Sequence, residues 1–346
     1  MEKILTKQAL PRWIEQLDAY QIYAPVREQE GWKYAIVDTP DSVTLDYPNT
    51  VLSLKSILFP QREVFLEFHS QNGRDLEVEE LLPGDAQSVI FGVRPCDAKA
   101  ISLMDKVFGG DYIDNYYWKR RNQTRLIGLA CNEPVSPDCF CNAVDGAPYS
   151  TEGLDILMTD LGDRYFLESV TEKGEELLAV EDDLFQEAGK KDQKAVKDLR
   201  SGAEKKFERK IPELQNMPEI LANLFDSDFW EQESMSCIRC GICTYLCPSC
   251  HCFDINDEVE TAAPLKGVRV RTWDTCQFPD FTMHSSGHNP RSDRAARLRQ
   301  RVSHKYRYFP EQYDAFLCTG CGRCIDKCPV GIDIVEVLNK AVDYEG

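Results

Sequence analysis

Along residues 1–170 the apolar positions switch repeatedly between helix-like and strand-like spacing. In TKQALPRWIEQL, Leu10, Ile14 and Leu17 share one helical face, with Thr6 as the expected cap. YQIYAPV and WKYAIVD, separated by REQEG, read as two strands joined by a turn, and REVFLEF (62–68) as another strand. SVIFGV (88–93) is a continuous apolar run. It leads into RPCDAKAISLMDKVF, a helical pattern with Asp97 placed to cap it. RLIGLAC (125–131) is a second apolar run, preceded by a helix-like stretch around 112–122. Strand, helix and strand at this spacing predict a parallel pair with a right-handed crossover. RYFLESV (164–170) is a further strand candidate. From 172 to 232 the pattern turns helical and charged, and its Lys/Glu-rich middle reads as a linker helix or a surface helix.

The fold class this predicts is a two-domain α+β protein. Residues 1–232 form an α/β domain with a partly parallel sheet and a helical, charged end over 171–232. Residues 233–346 form a bacterial-type dicluster ferredoxin-like domain, with an insertion between its two cysteine motifs.

Composition narrows the class. A chain of 346 residues is long enough for two cores. No apolar run approaches the roughly 18 residues that span a bilayer, and MEKILTKQALPRWIEQL lacks the apolar stretch of a signal peptide. The expected location is therefore the cytoplasm, where fifteen cysteines argue for metal ligation over disulfides. A net charge of −18 speaks against nucleic acid and anionic membranes as partners. The charge is uneven. Residues 264–310 carry ten Lys/Arg against Asp274, Asp280 and Asp293, an excess of seven that leaves −25 elsewhere. Such a stretch suits docking to a protein or offsetting an anionic cofactor, the plain alternative being a solvated helix face.

Cys237, Cys240, Cys243 and Cys247 follow C-x2-C-x2-C-x3-C-P, and Cys318, Cys321, Cys324 and Cys328 repeat it. This is the ferredoxin spacing for two [4Fe–4S] clusters. Two-residue gaps wrap a tight loop round one cube, and Gly241, Gly320 and Gly322 relax the backbone there. The fourth cysteine usually crosses to the other cluster, so Cys237, Cys240 and Cys243 are expected with Cys328, and Cys318, Cys321 and Cys324 with Cys247. Zinc ribbons use two pairs of ligands, not three-plus-one runs ending in Pro. An iron cube with four thiolates offers no open iron to a substrate, which leaves one-electron transfer.

Seven cysteines remain. Cys96 follows one predicted parallel strand, Cys131 ends the next, and Cys139 and Cys141 occupy the loop after it. Carboxyl ends of neighbouring strands line one crevice, so these four are expected to hold a third [4Fe–4S] cluster, against the alternative of merely buried thiols. Cys250, Cys252 and Cys276 leave two readings open. They pack beside the clusters as small apolar residues that tune potential. Or they hold the third cluster themselves, with a ligand borrowed from the first domain or from His251, His284 or His288. Arg291, Arg297 and Arg301 are candidates to damp cluster charge. With no P-loop and no GxGxxG, nothing points to flavin or nucleotide in this chain.

Six stretches, FGVRPCDAKAI, LIGLACNEP…CFC, CIRCGICTYLCPSCHCFD, WDTCQFPDFT, GHNPR…RLRQRVSHK and CTGCGRCIDKCPVGI, taken in order, resemble one family. It comprises the iron–sulfur beta subunits of sulfhydrogenase-type NiFe hydrogenases and the corresponding iron–sulfur subunit of anaerobic sulfite reductase. The resemblance implies an electron-transfer subunit of a cytoplasmic anaerobic oxidoreductase complex. Its partners would be an FAD/NAD(P)H-binding subunit with a [2Fe–2S] centre and a catalytic redox subunit (hydrogenase, sulfite reductase or heterodisulfide-reductase-like). The stretch 171–232 carries none of these motifs. Two other classes stay in view. A self-contained iron–sulfur reductase with a substrate-accessible amino-terminal cluster would turn over substrate alone, and a zinc-bearing scaffold would be colourless.

Overall fold

The computed structural model describes residues 1–72 and 74–344. Its strands are β1 (Glu2–Thr6), β2 (Gln21–Glu28), β3 (Gly31–Ile36), β4 (Arg62–Ser70), β5 (Glu77–Glu80) and β6 (Ser88–Val93). They continue with β7 (Thr124–Leu129), β8 (Ile156–Asp160), β9 (Arg164–Ser169), β10 (Gln186–Glu187), β11 (Phe253–Ala262) and β12 (Leu265–Trp273). One sheet runs β10-β1-β9-β8-β7-β6-β2-β3, and a second runs β11-β12-β4-β5. The centre of the large sheet is parallel, β2 with β6, β6 with β7 and β7 with β8, and its flanks are antiparallel.

Alternation sorts the core onto two faces. Val89, Phe91, Ile127, Leu129, Ile156 and Met158 pack on one side, with Trp13 and Ile14 of the helix Leu10–Glu15. Ile90, Val93, Leu126 and Leu157 point the other way, onto Ala98, Ile101, Met104 and Phe108 of the helix Pro95–Phe108. Both faces are covered, and accordingly every residue of β6 is buried.

Local details depart from the sequence reading. Thr6 ends a strand and makes no capping bond, and the helix begins at Leu10 with Pro11 in its first turn. Asp97 does not cap either. Arg94 occupies the cap position because Pro95, which has no N–H to satisfy, opens the helix. Strands β1, β5, β8, β10, β11 and β12 lie outside the strands predicted. The helix Lys190–Glu204 lies on the large sheet, with Val196 against Ile4 and Phe166, and so is a surface helix.

The stretch between the two cysteine motifs holds the β11–β12 hairpin and the helix Arg294–Ser303. Strand β12 pairs antiparallel with β4, from Leu265↔Ser70 to Thr272↔Arg62. The ladder therefore crosses the boundary expected near 233. Arg271 of β12, 1% exposed, is ion-paired to Glu63 of β4 at 2.5 Å and to Asp114, which caps the helix Asn115–Gln123. No described helix is long and apolar enough to cross a membrane.

Candidate iron–sulfur sites

Each cysteine motif is a loop closed by a left-handed glycine that starts a short helix. Gly241, at φ 77°, precedes Ile242–Tyr245, and Gly322, also at φ 77°, precedes Arg323–Asp326. That backbone conformation is one that glycine adopts without penalty.

Cys237, Cys240 and Cys243 line one cavity with Cys328 and Pro329, while Cys324 reaches its wall. The fourth cysteine of the second motif thus faces the first motif's triplet. Conversely Cys247 lies among the second triplet, close enough for its charge to push up the thiols of Cys321 and Cys324. Burial is the main cause of those upward shifts, taking Cys321 to about 12, and it takes Cys243 to about 12 also. Thiols held protonated this way release protons when a metal takes them.

Two buried cations mark where anionic sulfur would sit. Lys305, 2% exposed, reaches the Cys247 Sγ at 3.2 Å, the Ser249 Oγ at 3.3 Å and the Leu317 carbonyl at 3.1 Å. Arg301, 5% exposed, donates to the Cys243 carbonyl at 3.2 Å. Neither has a carboxylate partner among the described residues. The Arg301 Nε and Thr319 Oγ1 are buried without hydrogen-bond partners. Buried cations and orphan donors are costly unless an anion or acceptor meets them. A thiolate-bound sulfide cube supplies both, so the residues present fit the group. Of the arginines singled out in the sequence, Arg301 stands at the thiols. Arg297 is buried but turns to the Gln277 and Ser292 carbonyls. Lys305 escaped the sequence reading, although Arg297, Arg301 and Lys305 recur every four residues, the spacing of one helical face.

The amino-terminal cysteines also come together. Cys96, Cys139 and Cys141 pack in one group with Val135 and Phe207, and Cys131 lies close enough to raise the thiols of Cys139 and Cys141. Burial leads these shifts, to about 11 for Cys139 and about 12 for Cys141. The placement arises at the carboxyl ends of β6 and β7. A bulge at Gly92, φ 76°, is held by the Tyr34 hydroxyl at 3.3 Å and by that of Tyr47, and it turns the chain toward Arg94 and Cys96. Arg94, buried and without a carboxylate among the described residues, reaches the Cys131 Sγ at 3.9 Å.

Cys250 and Cys252 pair off with Cys247 and Cys276, whose thiols they lower by hydrogen bonding, Cys276 to about 6. Lys55 donates to the Cys250 carbonyl at 3.0 Å and lies 3.8 Å over the Trp273 ring. Burial lowers His251 to about 4. His284 and His288 face one another, 5.4 Å between ring centroids, in a separate exposed loop. Among the described residues no three His, Cys, Asp or Glu converge on a single-ion site. A cube takes one thiolate per iron, so its ligands surround a volume rather than a point.

The sequence reading missed a contact that joins the thiol sets. Arg323, inside the second motif, is buried in a two-pronged ion pair with Asp97, at 2.5 and 2.8 Å. It also donates to the Thr50 carbonyl at 2.7 Å. The Phe140 amide donates to the Gly320 carbonyl at 2.8 Å, so the loop bearing Cys139 and Cys141 lies directly on the second motif.

Paired four-cysteine loops, with Cys328 facing the first triplet, and buried cations without carboxylate partners among the described residues are the make-up of an iron–sulfur protein. In agreement, residues 236–332 match the model of the 4Fe-4S dicluster domain family. Over 97% of its length the chain is 31% identical to sulfhydrogenase 2 subunit beta of Pyrococcus furiosus, 97% of which is covered. The chain belongs to the sulfhydrogenase beta subunit family and is an iron–sulfur electron-transfer protein. No solved structure matches it.

Proposed function

We propose that this chain relays single electrons between an FAD/NAD(P)H-handling subunit with a [2Fe–2S] centre and a catalytic redox subunit. The relative's name makes it one subunit of an assembly, and the same role is inferred here, within a cytoplasmic complex. The observation that carries the reading is the succession of thiol sets. Cys96 stands near Cys321, Cys324 stands near Cys243, and the Cys237 loop lies at the surface.

In this reading Cys237, Cys240, Cys243 and Cys328 hold one [4Fe–4S] cluster, and Cys318, Cys321, Cys324 and Cys247 a second. Cys96, Cys131, Cys139 and Cys141 hold a third. Such clusters supply one-electron redox chemistry. Arg301, Lys305 and Arg94 place positive charge at the thiolates, and the Phe140–Gly320 contact holds neighbouring sets at fixed separation. Cys250, Cys252 and Cys276 act as packed neighbours that exclude water and tune potential.

Anaerobic iron analysis of the full chain tests this and should return about twelve iron atoms, three cubes of four. Cys96→Ala should lower the count toward eight. Stoichiometric zinc, or a third cluster lost from Cys250→Ala instead, would overturn the assignment. Crossed ligation makes a separate demand. Cys328→Ser should alter the EPR signal of the cluster held by Cys237, Cys240 and Cys243 and leave the other set's signal in place. The reverse pattern would mean that each motif keeps its own fourth cysteine.

A further inference from the structure

The two cysteine motifs are built alike but covered differently. Arg239 in CIRCGIC and Gly320 in CTGCGRC hold the same place in their loops, and both are left-handed, at φ 59° and 65°. Over the second motif lies the chain's own loop 138–141. A Cβ on Gly320 would sit 2.4 Å from the Cys141 amide nitrogen, and one on Gly322 2.6 Å from the Asp138 carbonyl oxygen. Only glycine permits that approach. The covering loop is itself redox-directed, since it bears Cys139 and Cys141.

At the equivalent place on the first motif the chain has an arginine, and the surface is open. Ile238 and Met235 are 59% and 66% exposed, and Cys240 is the one exposed cysteine of the fifteen. The surroundings are basic. Arg239, Arg291 and Arg294 are met by Asp293, whose carboxylate is occupied in capping the helix Arg294–Ser303. Arg294 also donates to the Met235 carbonyl at 2.8 Å, holding the apolar residue in place. In the hollow that Met235 also lines, Glu233 is neutralised by Lys340 at 3.0 Å, and Glu336 is the exposed acid there. An apolar centre with a charged rim is the make-up of a transient protein interface.

We propose that the face around Cys240 is the docking surface for a redox protein that presents an acidic loop beside its own redox group. That loop would cover the first motif as residues 138–141 cover the second. The inference rests on the relay reading above and adds the place and charge of one partner. Bringing the two groups together across a covered, water-poor contact shortens the path for one electron, and complementary charge speeds the encounter.

The test uses the full chain, loaded with iron anaerobically, and an acidic plant-type [2Fe–2S] ferredoxin as probe. Dissociation constants are measured by surface plasmon resonance at low and high salt. Arg294→Glu places a carboxylate in the helix's first turn, where the helix dipole tolerates it. It should weaken binding about tenfold at low salt, and Arg239→Glu should do the same, with the difference shrinking as salt rises. Lys194→Glu, on the exposed side of the Lys190–Glu204 helix, should leave binding unchanged. Both arginine variants binding like the parent, or a basic cytochrome c competing for this face, would overturn the proposal. Iron content separates the two ideas. Failure to load iron counts against the relay, whereas full loading with charge-indifferent binding counts against the docking surface alone. If Arg239→Glu loses iron, Arg294→Glu decides.

Discussion

Asp97→Asn should destabilise the protein by about 3–5 kcal/mol, the cost of stripping a buried charge of its partner. Asp97 is fully buried and Arg323 is 4% exposed, so water cannot replace the lost carboxylate. Around Arg323 the remaining acceptors are neutral: the Thr50 carbonyl at 2.7 Å, the Asn49 Oδ1 at 2.7 Å and the Thr50 hydroxyl at 2.9 Å. Asparagine keeps one acceptor but turns an NH2 donor toward the guanidinium. Urea denaturation followed by circular dichroism measures the loss. Pairing the change with Arg323→Met should recover much of it, because a neutral amide beside a methionine leaves no buried charge without a partner. A single-variant loss below about 1 kcal/mol would mean that water reaches the pair. The damage should also appear at the proposed metal sites, since Cys96 adjoins Asp97 and Cys321 lies two residues before Arg323.

Lys305→Met should lower the reduction potential of the cluster proposed to take Cys247 as a ligand. Reduction adds negative charge, so removing a cation 3.2 Å from a ligand sulfur disfavours the reduced form. At an effective dielectric near 20 a unit charge about 4 Å away is worth roughly 4 kcal/mol, or on the order of 100–200 mV for one electron. Lys305→Arg retains the charge and should stay near the parent value. Potentiometric EPR on samples matched for iron content measures both. An unchanged potential in Lys305→Met would show that the ammonium serves packing alone. The ammonium itself is driven in two directions. Burial opposes its charge, while the thiols of Cys247, Cys250 and Cys318 favour it and prevail, so its pKa stands above the ordinary lysine value.

Legibility followed the range of the interactions. The eight motif cysteines stand out because their spacing repeats over loops of fixed length, and Gly241 and Gly322 showed themselves by the turns such loops require. The parallel core could be read because burial on both faces turns β6 and β7 into unbroken apolar runs. Strand β11 could not, because all of its residues are exposed and no apolar alternation marks it. Strand β12, with Lys266, Arg269 and Arg271 among its residues, hides its burial behind charge, and the buried Arg271 is neutralised by Glu63 and Asp114 from other parts of the chain. Asp97 looked like a cap because carboxylates commonly stand at helix starts. Its partner lies 226 positions away, beyond anything local spacing reveals.

Strand β12 lies between the two cysteine motifs yet completes its ladder on β4, some two hundred residues earlier. A ribosome finishes β4 long before it reaches the hairpin, and the second motif, with Arg323 and Cys328, is made later still. Contacts this remote in sequence slow folding, because a long loop must close before any of them forms. The proposed clusters that join the two motifs therefore cannot close before the second motif has been made, and the amino-terminal thiols wait until then. A chain begun at residue 233 would present β12 with one long edge unpaired, a surface inviting aggregation. The regions on either side of residue 233 are therefore expected to fold as one unit, not as separate halves joined afterwards.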